Sequence, residues 1–219
     1  MAKLDMSKTK KNEIANPTEM PTALTGEWSS SDISIPKLSL VQATSSMDEF
    51  AKGSLVYDRQ VEVCAKDVTV EVSVLTMHKY FEEDVEYGSD QIPERWESEA
   101  EARAAGVNHR WDRKPGRSFS ERCDVVFLVP VPMEHAHYEF EGVGYVKCLY
   151  TFKSTAYNLA KRVFTATNGA NAGGLPYALR WELGSELKTN GQNKWYIPSL
   201  VNKGKASEGF LNYLVEEVI

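Results

Sequence analysis

Between Val68 and Val74 apolar and polar positions alternate strictly, with valines at 68, 70, 72 and 74 separated by Thr69, Glu71 and Ser73. A period of two sends alternate side chains to opposite faces, so the stretch predicts a half-buried strand. Upstream, Ile35-Pro36 favours an extended entry, because the residue before a proline is pushed out of the helical region. Leu38, Leu40 and Gln42 then alternate with Lys37, Ser39 and Val41, a second strand pattern. Gly53 breaks the chain before the apolar "SLVY". Here Leu38, Leu40 and Leu55 are expected in the core, Ser45 and Ser46 as caps and Gly53 in a turn.

Further along, "DVVFLVPV" (124–131) is apolar throughout and reads as a central strand, followed by the aromatic-rich "GVGYVKCLYTF" (142–152). The chain's best helix is "STAYNLAKRVFTATNG" (154–169). Ser154 or Thr155 is its expected cap, Asn168-Gly169 its stop, and Ala156, Leu159, Ala160, Val163 and Phe164 its buried stripe. Asn158, Lys161, Arg162 and Thr165 fall on the other side. "YALRWEL" and "NKWYIPSLV" predict two more strands, with a strong turn signal at Asn190-Gly191 between them. Residues 82–120 interrupt the strand pattern with a short helix, "ESEAEARAAG", and a basic loop, "HRWDRKPGR", of net charge +3.

The resulting order is three strands, a helix and two strands, with an insertion after the first strand. It is the order of a five-stranded OB-type barrel, in which the helix lies between the third and fourth strands. The fold expected is therefore mainly β with α: an OB-like β-barrel domain over 33–205, carrying an acidic insertion at about 82–120. A mobile N-terminal arm precedes it at 1–32, where the polar composition suits no packed element. A C-terminal helix or tail follows at 206–219.

No apolar run approaches eighteen residues, so no membrane span is expected, and "MAKLDMSKTKKNEI" lacks the apolar core of a secretory signal. Cys64, Cys123 and Cys148 are odd in number and widely spaced, which fits reduced thiols in a cytoplasmic protein. The net charge of −6 conceals a segregation. Residues 82–106 hold nine acids and two arginines, a local charge of −7, whereas 147–205 hold nine bases and two acids, a local charge of +7. Screening limits each field to roughly 8–10 Å, so the two stretches act as different surfaces.

Catalytic patterns are missing. His135 and His137 could lie on one face of a strand, but a zinc site needs further ligands, His78 and His109 lie elsewhere, and two loop histidines beside Pro132 are the expected reading. No G-x-S-x-G occurs, Cys148 sits in an apolar strand, and "GANAGG" lacks the ending of a phosphate loop. No enzyme activity, cofactor or metal is expected. What stands out is a stretch of interleaved cations and aromatics, the combination that holds single strands by phosphate contacts and base stacking. The candidate contacts are Lys147, Tyr150, Phe152, Lys153, Arg180, Trp181, Lys188, Lys194, Trp195, Tyr196 and Lys203, in a groove formed by 143–153, 177–182 and 194–203. Neighbours on a strand point oppositely, so only one of Trp195 and Tyr196 is expected to face solvent.

"IPKLSLVQATSSMDEFAKGSLVYD", together with "SEAEARAAG", "STAYNLAKRVFT" and "NKWYIPSLV", resembles a group of bacteriophage-encoded proteins of about this size, over roughly residues 33–201. Some members of that group are considered single-stranded DNA-binding proteins of phage replication or recombination, with OB-like folds. The resemblance implies sequence-tolerant binding of single-stranded DNA in the host cytoplasm. It also implies replication or recombination partners met through the C-terminal tail, with a homodimer permitted. The strongly acidic 82–106 stretch and the short, modestly acidic tail depart from a simple single-strand binder. The competing expectation is a phage structural or protein-interaction module that docks through the acidic insertion and the arm.

Overall fold

The apolar run around Phe127 becomes the middle of the largest sheet, because a strand covered on both faces needs no polar alternation. The structure, a computed structural model, describes residues 35–86, 88–169 and 172–219. The expected arm at 1–32 lies outside them. Residues 35–219 form one compact unit. In chain order its first elements are β1 (Leu38–Leu40), β2 (Leu55–Tyr57), β3 (Val61–Cys64) and β4 (Val70–Glu83). The insertion supplies β5 (Arg95–Trp96), α1 (Glu99–Ala104) and β6 (Asn108–His109). Then come β7 (Ser118–Val131), β8 (Tyr138–Phe140), β9 (Val143–Lys153), α2 (Tyr157–Thr167), β10 (Leu179–Asn190), β11 (Asn193–Lys205) and α3 (Glu208–Tyr213).

The main sheet runs β11-β10-β4-β7-β9-β8, with β5 paired to β4 and β6 to β7; β1, β2 and β3 form a small sheet of their own. All ladders are antiparallel except β6–β7. The mainly-β architecture and the expected order of strands and helix are therefore present. A bulge at Val74–Thr76 shifts the β4 register, so Val72, Val74, Met77 and Phe81 share the inner face with Cys123, Val125 and Phe127 of β7. On that face one core gathers Val146, Cys148 and Phe152 of β9, Trp181 and Leu183 of β10, Leu200 of β11, and Leu38 and Leu55 of the small sheet.

The expected closed barrel is not formed: no ladder joins β9 to β11. The opening stretch occupies both edges instead. The Leu149 N–H of β9 donates to the Pro36 carbonyl at 2.8 Å, beside a bridge from Lys37 to Leu149. Five residues on, the Gln42 side chain acts as a substitute peptide unit. Its Nε2 donates to the Tyr196 carbonyl of β11 at 2.8 Å, and its Oε1 accepts from the Tyr196 N–H at 2.9 Å. Gly53 turns with φ +100, and a Cβ there would come within 2.7 Å of the Tyr196 ring, so glycine is required on both counts. Leu38 and Leu55 are buried and Leu40 partly so, as their alternation implied. Ser45 and Ser46 cap no helix: the Ser45 N–H closes a turn onto Gln42, and the Ser46 hydroxyl accepts from Arg59.

The insertion is folded. Ser98 caps α1 by accepting from the Glu101 N–H, and Phe81, Ala102, Val107 and Phe119 make a core of their own with Trp96 against it. α2 buries Tyr157, Ala160, Val163 and Thr167. Its expected serine or threonine cap is not used; Ser154 opens a 3-10 turn before the helix, which starts from Ala156 without a side-chain cap. Residues 206–219 fold back: Leu214 and Val218 pack on Leu75, Val126 and Leu128, on the outer face of the main sheet.

Candidate nucleic-acid interface

The nominated residues divide into three groups. Phe152 is 0% exposed and Trp181 3% exposed, both in the main core, so neither can stack on a base. That corrects the expectation for both. Strand alternation puts Trp181 inward with Leu179 and Leu183, and the aromatic content of β9 is used to fill the interior. Tyr150 packs on this core with its ring 4.8 Å from that of Phe152, and burial raises its phenol pKa.

A second group holds cations already engaged. Arg180 pairs with Glu71, Lys188 with Glu186, and Lys203 with Glu182. Lys147 lies 5.4 Å from the centre of the Tyr138 ring. Arg180 also lines a depression of about 190 Å³ with Glu71, Glu141, Val143, Tyr145 and Phe210. The starts of β9 and β10 do meet there, but the depression carries two carboxylates to one guanidinium and repels phosphate. β9 and β10 are otherwise separated in the sheet by β7 and β4, so no single groove follows the three predicted segments.

The third group sits on the β10–β11 hairpin. β10 pairs with β4 only over Arg180–Leu183, and beyond that point the two strands continue as a ribbon to the Asn190-Gly191 turn. Lys188 lies directly opposite Trp195, and Thr189 opposite Lys194. Alternation places Lys188 and Trp195 on one face of the ribbon, and Leu187, Tyr196 and Lys194 on the other. The Tyr196 backbone is held by Gln42 and its ring lies against Gly53, so of the two half-buried rings that of Trp195 is the less tethered. Lys153 and Lys194 are exposed and make no ion pair among the described residues.

Two exposed aromatics escaped the sequence reading. Phe164, expected in the core, is 62% exposed. The buried stripe of α2 is centred on Ala160, Val163 and Thr167, and Phe164 lies at its border. Trp111, in the basic loop, is 72% exposed. Its signal in the sequence is an indole between Arg110 and Arg113, in a loop whose net charge alone does not point to it.

Nothing in the site looks nucleophilic. Cys64, Cys123 and Cys148 are all buried, and burial pushes the first two thiols up to about 11. His135 ends a 3-10 turn and His137 follows it, not on a strand. No group of three His, Cys, Asp or Glu side chains is placed to hold a metal among the described residues. No helix among them is long and apolar enough to cross a membrane. Comparison with protein-family models, with curated proteins and with solved structures gives no match.

Proposed function

We propose that this chain binds single-stranded DNA without sequence preference, as an accessory of phage-type DNA replication or recombination. The observation that carries the reading is the pairing of Lys188, which also contacts Glu186, with Trp195 on one face of the β10–β11 ribbon, with the unpaired Lys194 on the opposite face. A cation for the phosphates next to an indole for the bases is the minimal unit of single-strand binding. The strand order supports it: β11-β10-β4-β7-β9 is that of an OB sheet opened between its third and fifth strands. In that fold the ribbon corresponds to the loop joining strands four and five, one of the two loops that bind oligonucleotides.

The test is fluorescence anisotropy of a labelled thirty-base oligothymidine against a duplex of the same length, at low and moderate salt. Tight, salt-sensitive binding to the single strand alone is expected. Absence of binding at low salt overturns the reading. The alternative, a phage structural or protein-interaction module, has Ile92 on its side, 87% exposed within the acidic segment. It predicts a specific assembly on sizing and no affinity for the oligonucleotide.

A further inference from the structure

Beside α2 the inner face of the sheet runs out before the helix does. The space left is a groove of about 660 Å³, walled by Met77, Cys123, Tyr157, Ala160 and Phe164 and rimmed by Lys79 and Lys161. A second, smaller cavity of about 130 Å³ is lined by Trp111, Arg110, Ser154 and Asn158, and shares Tyr157 and Lys161 with the first. The two cavities adjoin at Tyr157 and Lys161, and each has an exposed aromatic in its lining: Phe164 in the larger and Trp111 in the smaller.

The charged groups along the two cavities that make no ion pair among the described residues are cations. Lys79 and Lys161 make no ion pair among the described residues; each lies over an aromatic ring, Phe81 at 4.8 Å and Tyr157 at 5.0 Å. Arg113 and Lys114, two and three positions after Trp111 and beyond Asp112, which pairs with Arg103, are likewise exposed and unpaired among the described residues. Two carboxylates lie near the smaller cavity. Glu121 lines it and faces His109 at 3.2 Å, and Asp84 neutralises Arg110. The volume of the larger part falls in the range of about 300–1,000 Å³ typical of ligand sites. Apolar walls, exposed aromatic faces and free ammonium groups in one trough suit a polyanion that also presents flat apolar faces.

We infer that this trough is a second contact for single-stranded DNA, taking bases against Phe164 and Trp111 and phosphates on Lys161 and Lys79. The inference rests on the single-strand reading above and extends it from the β10–β11 ribbon to the flank of α2.

The experiment uses the full chain and the same labelled oligothymidine, with Phe164→Ala, Trp111→Ala, Lys161→Ala and, as the reference at the ribbon, Trp195→Ala. All four side chains lie outside the main core, and matching thermal melts show that each variant is folded. Each aromatic change at the trough is expected to weaken binding about tenfold. Lys161→Ala is expected to reduce the slope of log affinity against log salt by about one. If the parent binds and Trp195→Ala weakens it while the trough variants match the parent, the trough is not a contact and the single-strand reading stands. If the parent does not bind at low salt, both fall together. A photoactivatable thymine in the oligonucleotide adds an independent readout: crosslinks mapped to the Trp111 and Phe164 peptides support the trough, and crosslinks confined to the ribbon overturn it.

Discussion

Residues 82–106 of the insertion and the basic stretch 147–205 carry opposite charges of equal size in the sequence, yet the two regions use them in opposite ways. In the insertion nearly every arginine is committed. Arg95 pairs with Glu82, Arg103 with Glu99 and Asp112, Arg110 with Asp84, and Arg117 with Glu83 and Glu94. Arg122, buried in β7, joins Glu82 to Asp84. The planar guanidinium suits such forked contacts, and the acids it neutralises become part of the scaffold. The basic stretch relies on lysines, of which Lys147, Lys153, Lys161, Lys194 and Lys205 make no ion pair among the described residues. A net charge of −7 therefore describes a folded, largely cross-linked element, whereas +7 describes a surface with charge to spare.

The sharpest way to break this contrast is Arg122→Ala. Its side chain is almost buried between Glu82 and Asp84, and its Nη1 donates to the Ser120 hydroxyl at 2.8 Å. Removing it leaves two half-compensated carboxylates in a poorly solvated site, an expected loss of about 3 kcal/mol in urea unfolding. A loss below about 1 kcal/mol would place the network among ordinary surface pairs. The next effect is in binding. Trp195→Ala is expected to lower oligothymidine affinity about tenfold, and Arg103→Gln in the insertion to leave it unchanged. Equal losses from both would mean that the two regions are not functionally separate.

How far these differences could be read from the chain depends on whether they are local. The alternation at 68–74, the apolar run at 124–131 and the Asn190-Gly191 turn specify backbone through neighbours in sequence, and β4, β7 and the β10–β11 hairpin follow them. β4 and β7 run on to fourteen residues each, because pairing with one another carries them past the point where apolar alternation ends. Charge pairing is non-local: Arg110 meets Asp84 and Arg117 meets Glu83 across 26 and 34 residues, so segregation along the chain said nothing about neutralisation in space. Gln42 is the same case, a polar residue in a strand pattern whose partner, Tyr196, lies 154 residues away. Of the candidate site, the ribbon was legible because its cations and indole are close in sequence. Phe152 and Trp181 misled because an aromatic beside a cation on a strand points inward as readily as outward. Phe164 misled in reverse, since only the position of the sheet beneath α2 decides where the buried stripe ends.

The smallest effect tests whether the insertion's acids act as structure, and it does so through pH. Glu83 is buried at the end of β4. Arg117 hydrogen bonds to it and holds its carboxyl below the ordinary value of 4.5, outweighing the burial that would raise it. Arg117 Nε donates to Oε1 at 2.6 Å and Nη2 to Oε2 at 3.0 Å. A carboxyl with a lowered folded pKa contributes stability that is fully present above its unfolded value and disappears as pH falls through the folded one. Glu83→Gln keeps the shape and removes the charge, so it is expected to cost about 1 kcal/mol at neutral pH. The gap between parent and variant should hold constant above the ordinary value of 4.5 and narrow as pH falls below it. Thermal melts of both proteins at pH 7, 5 and 3 measure it. Absence of a gap at any pH would show that Glu83 acts by shape alone, and the insertion would then be held by its small core around Phe119 and not by its arginines.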